Sequence, residues 1–338
     1  MAIELNRLYP GKLDHDFLES LLKKYTNADK RVILGAQVGE DAAVIDMGDH
    51  FLVAKTDPIT FAVDQIGYYA VHVNVNDIVC MGATPKWFLA TILLPERASR
   101  QLAEEIFSQL SVVCKKEGIA YCGGHTEVTI GLDRPIVIGQ MLGEAAKEAL
   151  KLKKNARVGD HLILMQAAPV EATSILSREK GELLKERFSD EFVKKCRNLF
   201  NDPGLSVRAY AELAQKTAEV HAMHDPTEGG IATAIHELAL AAGTGVRVDM
   251  QKIPLLTEGK LVCDFFNLDP LGCIASGSLL LAVPYKSIAP LIKASERANV
   301  PAADIGKLVE KSQGMVLIDA DSAQNLPLFT RDELTKVL

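Results

Sequence analysis

The chain has 338 residues, of which 48% are apolar and 24% charged, and its formal net charge is −7. This length fits about two domains and can bury a core without disulfides or a structural metal. The apolar fraction and small net charge exclude intrinsic disorder, and the scattered lysines and arginines exclude the basic surface of a nucleic-acid-binding protein.

The cysteines and the apolar stretches indicate in which cellular compartment the protein is expected. None of the six cysteines forms a CxxC pair, and five lie in apolar stretches, where we expect buried free thiols. Met1 to Leu5 lacks the basic and apolar blocks of a signal peptide. The longest uncharged window, Pro270 to Tyr285, is interrupted by glycines and is too short to span a bilayer. We therefore expect a cytoplasmic protein that does not bind membranes.

The first half predicts helices that alternate with short strands. Apolar residues between Phe17 and Leu22 recur at helical spacing, and Ser99 is a typical N-cap for the long amphipathic helix that follows it. The predicted elements are a helical arm within the first 30 residues, strands at 42–45 and 51–54, a helix at 64–81, a strand at 87–94, the helix after Ser99, and strands at 119–122 and 135–142, with Gly123 and Gly124 between the last two.

The second half repeats this alternation after a lysine-rich stretch at 147–157, which we interpret as a solvated linker. We place the boundary there, giving domains at 1–150 and 151–338. Both halves are predicted to be α/β or α+β. The predicted elements are strands at 161–165, 220–223, 246–250 and 279–283, and helices within 170–200 and at 206–216, 228–242 and 288–298.

Four acidic residues stand out by their surroundings: Asp41 in the turn GEDAAV, Asp57 at a strand end, Asp77 within an apolar helix, and Asp225 at a predicted helix start. Roles as a turn residue, a strand-end cap and a helix N-cap stay open for Asp41, Asp57 and Asp225. A buried carboxylate at Asp77 must be paired, protonated or bound to metal. Oxygen ligands on several elements suit Mg²⁺ held together with nucleotide phosphates.

Two glycine pairs supply the other half of the predicted site. Gly123 and Gly124, in GGHTE, follow a strand and let backbone N–H groups approach an anion. Gly229 and Gly230 open a helix, whose N-terminal amides favour an anion. Neither a GxxxxGK[ST] nor a GxGxxG motif occurs, so the P-loop and Rossmann fingerprints do not apply.

The order GEDAAV, TD, NDIVCMGATP, GGHTE and HDPTEGG resembles the superfamily of aminoimidazole ribonucleotide (AIR) synthetase, which includes selenophosphate synthetase, thiamine-monophosphate kinase and the hydrogenase maturation factor HypE. The resemblance runs from about Gly39 to Ala320, and the second half is most similar to HypE. It implies a PurM-like fold with an N-terminal domain that forms a β-barrel across a homodimer and a C-terminal α/β domain. ATP and Mg²⁺ would lie in a cleft between the domains.

The resemblance also implies roles for individual residues. Asp77, His125 and Asp225 would be catalytic. We expect Asp77→Asn to abolish turnover and to leave the fold intact, on the assumption that only the metal needs the Asp77 charge. The implied metal ligands are Asp41, Asp57, Asp77 and Asp225, and the implied nucleotide-binding residues are Gly39, Asn76, Gly123, Gly124, Thr126, Glu127, Thr227, Glu228, Gly229 and Gly230.

Departures from the relatives limit the functional prediction. HypE acts on a cysteine at its own C-terminus, whereas no cysteine follows Cys273 here, and Glu228 stands where HypE sequences usually carry arginine. Selenophosphate synthetase has a cysteine or selenocysteine early in the chain, whereas none precedes Cys80. The GGDT and Ser-Asp-Gly motifs of thiamine-monophosphate kinase are missing.

These departures leave an ATP-dependent enzyme that activates a substrate oxygen by phosphoryl transfer, acting with a maturation partner protein or a small-molecule substrate. The alternatives are a nucleotide-binding scaffold without turnover, a small-molecule kinase, and a selenophosphate-synthetase-like enzyme.

Three further residues carry open alternatives. Trp87 is expected in the core or in a dimer interface. His72 is either a packing residue or part of the cleft. His224 either contacts phosphate or caps a helix.

Overall fold

A computed structural model describes residues 8, 13–40, 42–59, 64–320 and 322–338. Asp41, one of the four predicted carboxylates, lies outside the described residues. The helices are α1 (His15–Tyr25), α2 (Ile66–Cys80), α3 (Arg100–Glu117), α4 (Val170–Glu179), α5 (Gly181–Leu184), α6 (Asp190–Asn198), α7 (Arg208–Thr217), α8 (Gly230–Ala242), α9 (Thr257–Phe266) and α10 (Ile288–Arg297). The strands are β1 (Val32–Leu34), β2 (Ala43–Asp46), β3 (Phe51–Ile59), β4 (Thr84–Pro95), β5 (Ala120–Thr129), β6 (Ile136–Ala145), β7 (His161–Met165), β8 (Ala222–His224), β9 (Gly245–Asp249), β10 (Leu279–Val283), β11 (Ala302–Val309), β12 (Met315–Asp319) and β13 (Ser322–Asn325).

The strands form two mixed sheets, one from each half of the chain. The first has the order β1-β2-β3-β6-β4-β5, and the second has the order β13-β12-β9-β11-β7-β10-β8. Neighbours pair antiparallel except for β4 with β5 and β12 with β9. The predicted mixed α/β fold in two parts is therefore confirmed. The boundary predicted near residue 150 lies between the last strand of the first sheet and the first strand of the second.

Helix α2 is the central element of the first half. Of its residues only Tyr68 is not buried, because the helix packs on β3 and β6 on one side and contacts α3, α7 and β8 on others. A helix covered on all sides is largely apolar on all sides, which explains the valines and isoleucines distributed around it between buried polar residues. Gly139 on β6 permits the close approach, since a Cβ at that position would overlap the Asn74 side chain.

The second sheet is covered on both faces. Along β7, Leu162 and Leu164 pack with α8 in one apolar cluster, while Ile163 and Met165 belong to another that also contains α2. This alternation is the two-residue period of a strand buried on both faces. The second cluster joins the two halves of the chain into one continuous core.

Several sequence predictions need correction. Gly123 and Gly124 do not lie between strands but within β5. The linker at 147–157 is not uniformly solvated, because Lys153 is 2% exposed. For Trp87, which is partly exposed, the core alternative is wrong and the dimer interface stays a prediction. Strands β1 and β11 to β13 and helix α9 went unpredicted. Among the described residues, no helix combines the length and apolarity needed to cross a membrane.

Candidate active site

Two of the predicted carboxylates share one lysine. Asp57 and Lys55 are two residues apart on β3, so both side chains point to the face covered by α2. The Lys55 Nζ atom lies 3.1 Å from Asp77 Oδ2 and 3.4 Å from Asp57 Oδ2. Asp77 is only 3% exposed, so its charge is held inside the protein by this ammonium group. Sequence analysis missed Lys55, although its position two residues before Asp57 on a strand was a usable signal.

The second half brings another acidic group to the boundary with α2. Strand β8 contacts α2 and ends at His224, and Asp225 follows directly with 1% exposure. The His224 Nε2 atom lies 2.8 Å from Glu237 Oε2 on α8. His224 is therefore anchored to α8, and it orients the turn that carries Asp225. The structure also places Asp225 four residues before Gly229, the N-cap of α8, so Asp225 is not the helix cap.

The turn containing Gly39 packs against the same helix. Lys153 donates a hydrogen bond of 2.6 Å from Nζ to the Gly39 carbonyl oxygen. The Cβ position of Gly39 lies 3.9 Å from the Glu237 carbonyl oxygen. Lys153 lies in a short helical turn at 153–155 that contacts α8, so its hydrogen bond holds the predicted phosphate-site turn of the first half beside that helix. Gly39 thus lies against α8, Asp57 and Asp77 share Lys55, and Asp225 follows the strand that contacts α2.

This donor set fits a hard divalent cation. Asp57, Asp77 and Asp225 offer only oxygen ligands from three separate elements, and the ammonium of Lys55 marks a position where two carboxylates hold positive charge. Among the described residues, no group of three or more His, Cys, Asp or Glu side chains is already close enough to enclose a metal. Mg²⁺ is typically held by a few protein ligands, and phosphate oxygens complete its coordination.

Asn76 makes a structural contact next to this site. Its Nδ2 donates to the Leu205 carbonyl oxygen at 2.8 Å, and its Oδ1 accepts from the Val207 backbone N–H at 2.9 Å. Both ends of the amide therefore hold α2 to the segment before α7. Its implied role in nucleotide binding stays a prediction.

The GGHTE run lies apart from the carboxylates. The strand register places Asp57 opposite Gly139, Gly139 opposite Ala90, and Ala90 opposite Gly124. Three strand spacings separate Asp57 from Gly124, which is about 14 Å. Within this run, Gly123, Gly124, His125, Thr126 and Glu127 are all exposed, and His125 Nε2 lies 3.0 Å from Glu127 Oε2.

A Cβ at Gly124 would overlap the Ala90 carbonyl oxygen, so this glycine is needed for strand pairing. The predicted role of the run in nucleotide binding depends on what lies beside the free edge of β5.

The start of α8 already holds a carboxylate. The Gly229 backbone N–H donates to Asp332 Oδ2 at 2.9 Å, and a Cβ at Gly230 would overlap the Leu271 carbonyl oxygen. Burial raises the pKa of Asp332 to about 6. Thr227 and Glu228 lie half-buried in the turn before the helix. In this structure the Gly229 amide, expected to face phosphate, thus binds a side chain from near the end of the chain.

Two further buried groups can titrate. The sequence analysis did not single out Glu171, and it left the role of His72 open. Burial raises the pKa of Glu171, in the first turn of α4, to about 8; a hydrogen bond from Ser276 opposes this rise, and the charges of Glu228 and Asp332 add to it. Burial lowers the pKa of His72 to about 3, and its ring centroid lies 4.2 Å from that of Tyr68, with the two rings tilted by 57°. His72 is therefore a neutral packing residue.

The chain matches sequence models of both domains of AIR synthase related proteins, the N-terminal domain at residues 39–145 and the C-terminal domain at 157–319. A putative hydrogenase expression/formation protein of Methanocaldococcus jannaschii is 28% identical over 74% of this chain and 73% of its own. Carbamoyl dehydratase HypE of Rhizobium leguminosarum bv. viciae is 27% identical, covering 83% and 78%. Selenide, water dikinase of Aeromonas hydrophila subsp. hydrophila is 28% identical, covering 79% and 74%.

Solved structures with the same fold lie at lower identity. HypE in complex with ATP superposes with a TM-score of 0.71 at 21% identity, covering 94% of this chain and 92% of its own. The HypE–HypF complex gives 0.74 at 19% identity, covering 92% and 99%. AaThiL complexed with AMPPCP and TMP gives 0.70 at 19% identity, covering 94% of both chains. These likenesses establish the fold.

Proposed function

The chain belongs to the AIR synthase related protein family, and we propose that it is an ATP- and Mg²⁺-dependent enzyme that activates a substrate oxygen by phosphoryl transfer. The observation that carries this proposal is the carboxylate pair Asp57 and Asp77 around Lys55, with Asp77 on the helix α2 that strand β8 contacts just before Asp225. Such a pair places two carboxylates in a buried site, where they can bind the metal ion of a metal–triphosphate complex.

The relatives support ATP as the common cosubstrate. HypE has been crystallised with ATP and AaThiL with AMPPCP, and a selenide, water dikinase is among the relatives. These proteins act on different acceptors but share this fold. The shared part is therefore the nucleotide, and the acceptor differs from one member to the next.

Individual residues have assignable tasks in such a reaction. Asp57, Asp77 and Asp225 would hold Mg²⁺, with Asp41 as a further ligand. The bound ion would neutralise charge that develops on the transferred phosphoryl group. Lys55 supplies positive charge to the same site, and Glu237 fixes His224 beside Asp225. Phosphorylation turns an amide or carboxylate oxygen into a leaving group that departs as phosphate.

For the acceptor, we infer a HypE-like maturation or synthetase substrate carried by another molecule. Five of the six cysteines are buried, and the exposed Cys122 lies on β5, at the far side of the sheet from Asp57. Their burial argues against a cysteine of this chain as acceptor. A maturation partner fits this inference, since HypE forms a complex with HypF.

A homodimer is part of the proposal. Strand β5 ends the first sheet and its residues from Cys122 to Val128 are exposed. Exposed edge strands in natural proteins are covered or paired. Pairing two such edges about a two-fold axis would bring the GGHTE run of one subunit toward its partner and complete a closed barrel.

Calorimetry with ATP tests the nucleotide part of the proposal. We expect binding in the presence of Mg²⁺ and weaker binding with EDTA. Absence of ATP binding under both conditions would rule out the proposed activity. A steady-state ATPase assay with and without candidate acceptors separates an enzyme from a scaffold, because a scaffold binds ATP and shows no turnover with any acceptor.

A further inference from the structure

Lys55 occupies the point at which the Asp57 and Asp77 carboxylates meet. Its Nζ atom contacts Oδ2 of both, at 3.4 Å and 3.1 Å. We propose that the Lys55 ammonium group occupies the Mg²⁺ position until nucleotide binds, so that Mg²⁺ binding depends on nucleotide. This inference rests on the proposed function and concerns how the same site loads its metal.

The surroundings explain why a cation is needed between these groups. The side chains of Lys55 and Asp77 are 15% and 4% exposed, so water screens their charges poorly. Two carboxylates that face each other at such a site repel unless a positive charge lies between them. The strand direction fixes the lysine there, because Lys55 and Asp57 leave β3 on the same face.

A metal bound by both carboxylates must displace this ammonium group. A divalent ion alone would take over the carboxylates and remove Asp57 and Asp77 from contact with a largely buried lysine charge, which is unfavourable. A triphosphate changes this balance, because its oxygens offer the displaced ammonium a new anionic partner. Mg²⁺ and nucleotide therefore bind cooperatively, each raising the affinity for the other by the same factor.

Lys55 is thus a positioning residue that selects the metal–nucleotide complex over the free ion. Without it, the carboxylates would attract divalent ions from solution whether or not nucleotide was present. The expected signature is a change in the coupling between two binding events, which a purely structural lysine would not alter.

Titration with Mn²⁺, followed by the EPR signal of the free ion, measures this coupling after the Mn²⁺ bound by the analogue alone is subtracted. Each protein is titrated with and without a non-hydrolysable ATP analogue. In the natural chain we expect weak Mn²⁺ binding alone and much tighter binding with the analogue. In Lys55→Gln we expect binding of Mn²⁺ alone to tighten about tenfold or more, and the coupling factor to fall by a similar amount. Lys55→Arg keeps the charge and should keep the coupling.

Lys147→Gln is the matched control, because Lys147 forms an ion pair with Asp46 at 3.4 Å on the same sheet, away from this site. It should leave Mn²⁺ binding unchanged. If Lys55→Gln is unstable, its thermal midpoint without nucleotide should rise with Mn²⁺ far more than that of the natural chain.

Equal Mn²⁺ affinity of the natural chain and Lys55→Gln, with equal midpoint shifts, would overturn the inference and leave ATP binding intact. Failure of the natural chain to bind the analogue would instead refute the proposed function.

Discussion

The carboxylate site on α2 and the GGHTE run on β5 were both singled out by motif, and the structure gives them opposite surroundings. Asp77 is buried and its charge is balanced by Lys55, so this site is assembled within one chain. The residues from Gly123 to Glu127 are exposed along the free edge of a sheet. A motif therefore identifies chemistry without indicating whether the groups that complete it come from the same molecule.

The physical reason lies in what each region needs. A buried carboxylate must find a counter-charge inside the protein because water cannot screen it. An edge strand needs hydrogen-bond partners for its outer N–H and C=O groups, which water or a second molecule can provide. Buried carboxylates are therefore constrained by the fold of their own chain, whereas edge-strand residues are constrained by association with another molecule.

Asp77 and Glu171 extend the contrast within the buried region. Asp77 has Lys55 as a neighbour, whereas Glu171 lies near two further acidic groups, Glu228 and Asp332. The first arrangement stabilises the ionised carboxylate. Burial, with a smaller contribution from the charges of Glu228 and Asp332, raises the pKa of Glu171 and favours its neutral carboxyl group.

The largest expected effect is that of Asp77→Asn. We expect ATP turnover to fall about a thousandfold or more because a metal ligand is lost. The assumption that only the metal needs the Asp77 charge is wrong, since Lys55 contacts it. The substitution should therefore also lower the free energy of unfolding by about 3 kcal/mol, as when one partner of a buried ion pair is removed.

Urea denaturation and an ATPase assay measure the two effects of Asp77→Asn. Asp46→Asn, at the exposed pair with Lys147, is the control and should change neither. Full stability of Asp77→Asn would show that the buried pair does not hold the fold, and the contrast with β5 would be lost.

Val128→Glu probes the exposed region. Val128 is 60% exposed on β5, and a charge there should raise the dissociation constant of the proposed homodimer about a hundredfold. Light scattering over a range of concentrations measures this constant. Val112→Glu is the matched control, since Val112 is 61% exposed on α3 and should leave the dimer unchanged. A natural chain that is monomeric at micromolar concentration would contradict the prediction.

Glu171→Gln gives a smaller, pH-dependent effect. The pKa of Glu171 in the folded protein, about 8, lies above its ordinary value of 4.5. Its stabilising contribution is therefore fully present below pH 4.5 and is lost as the pH rises through 8. Relative to the natural chain, Glu171→Gln should gain about 2 kcal/mol of unfolding free energy between pH 5 and pH 6.5.

Urea denaturation at both pH values tests the Glu171 prediction. Glu104→Gln, at an exposed position of α3, serves as the control and should show no such gain. A stability difference that stays constant with pH would show that burial does not raise the pKa of Glu171.

The sequence alone determined the local elements and the family. Short continuous apolar runs predicted β7 and β10 with their observed bounds, because a strand buried on both faces is apolar throughout. Apolar residues at helical spacing predicted α10 to within one residue. The motif order indicated the AIR synthase relationship, and the buried helix around Asp77 indicated a paired or metal-bound carboxylate.

Only the tertiary structure decided which groups meet. Lys153 binds the carbonyl oxygen of Gly39, 114 residues away in sequence, although its lysine-rich stretch was predicted to be a solvated linker. Asp332 binds the Gly229 amide across 103 residues, and Lys55 joins Asp57 to Asp77. Local patterns carry information over a few residues, whereas these contacts depend on how the two sheets and α2 pack. That packing sets both the distances and the burial that give each charged group its partner.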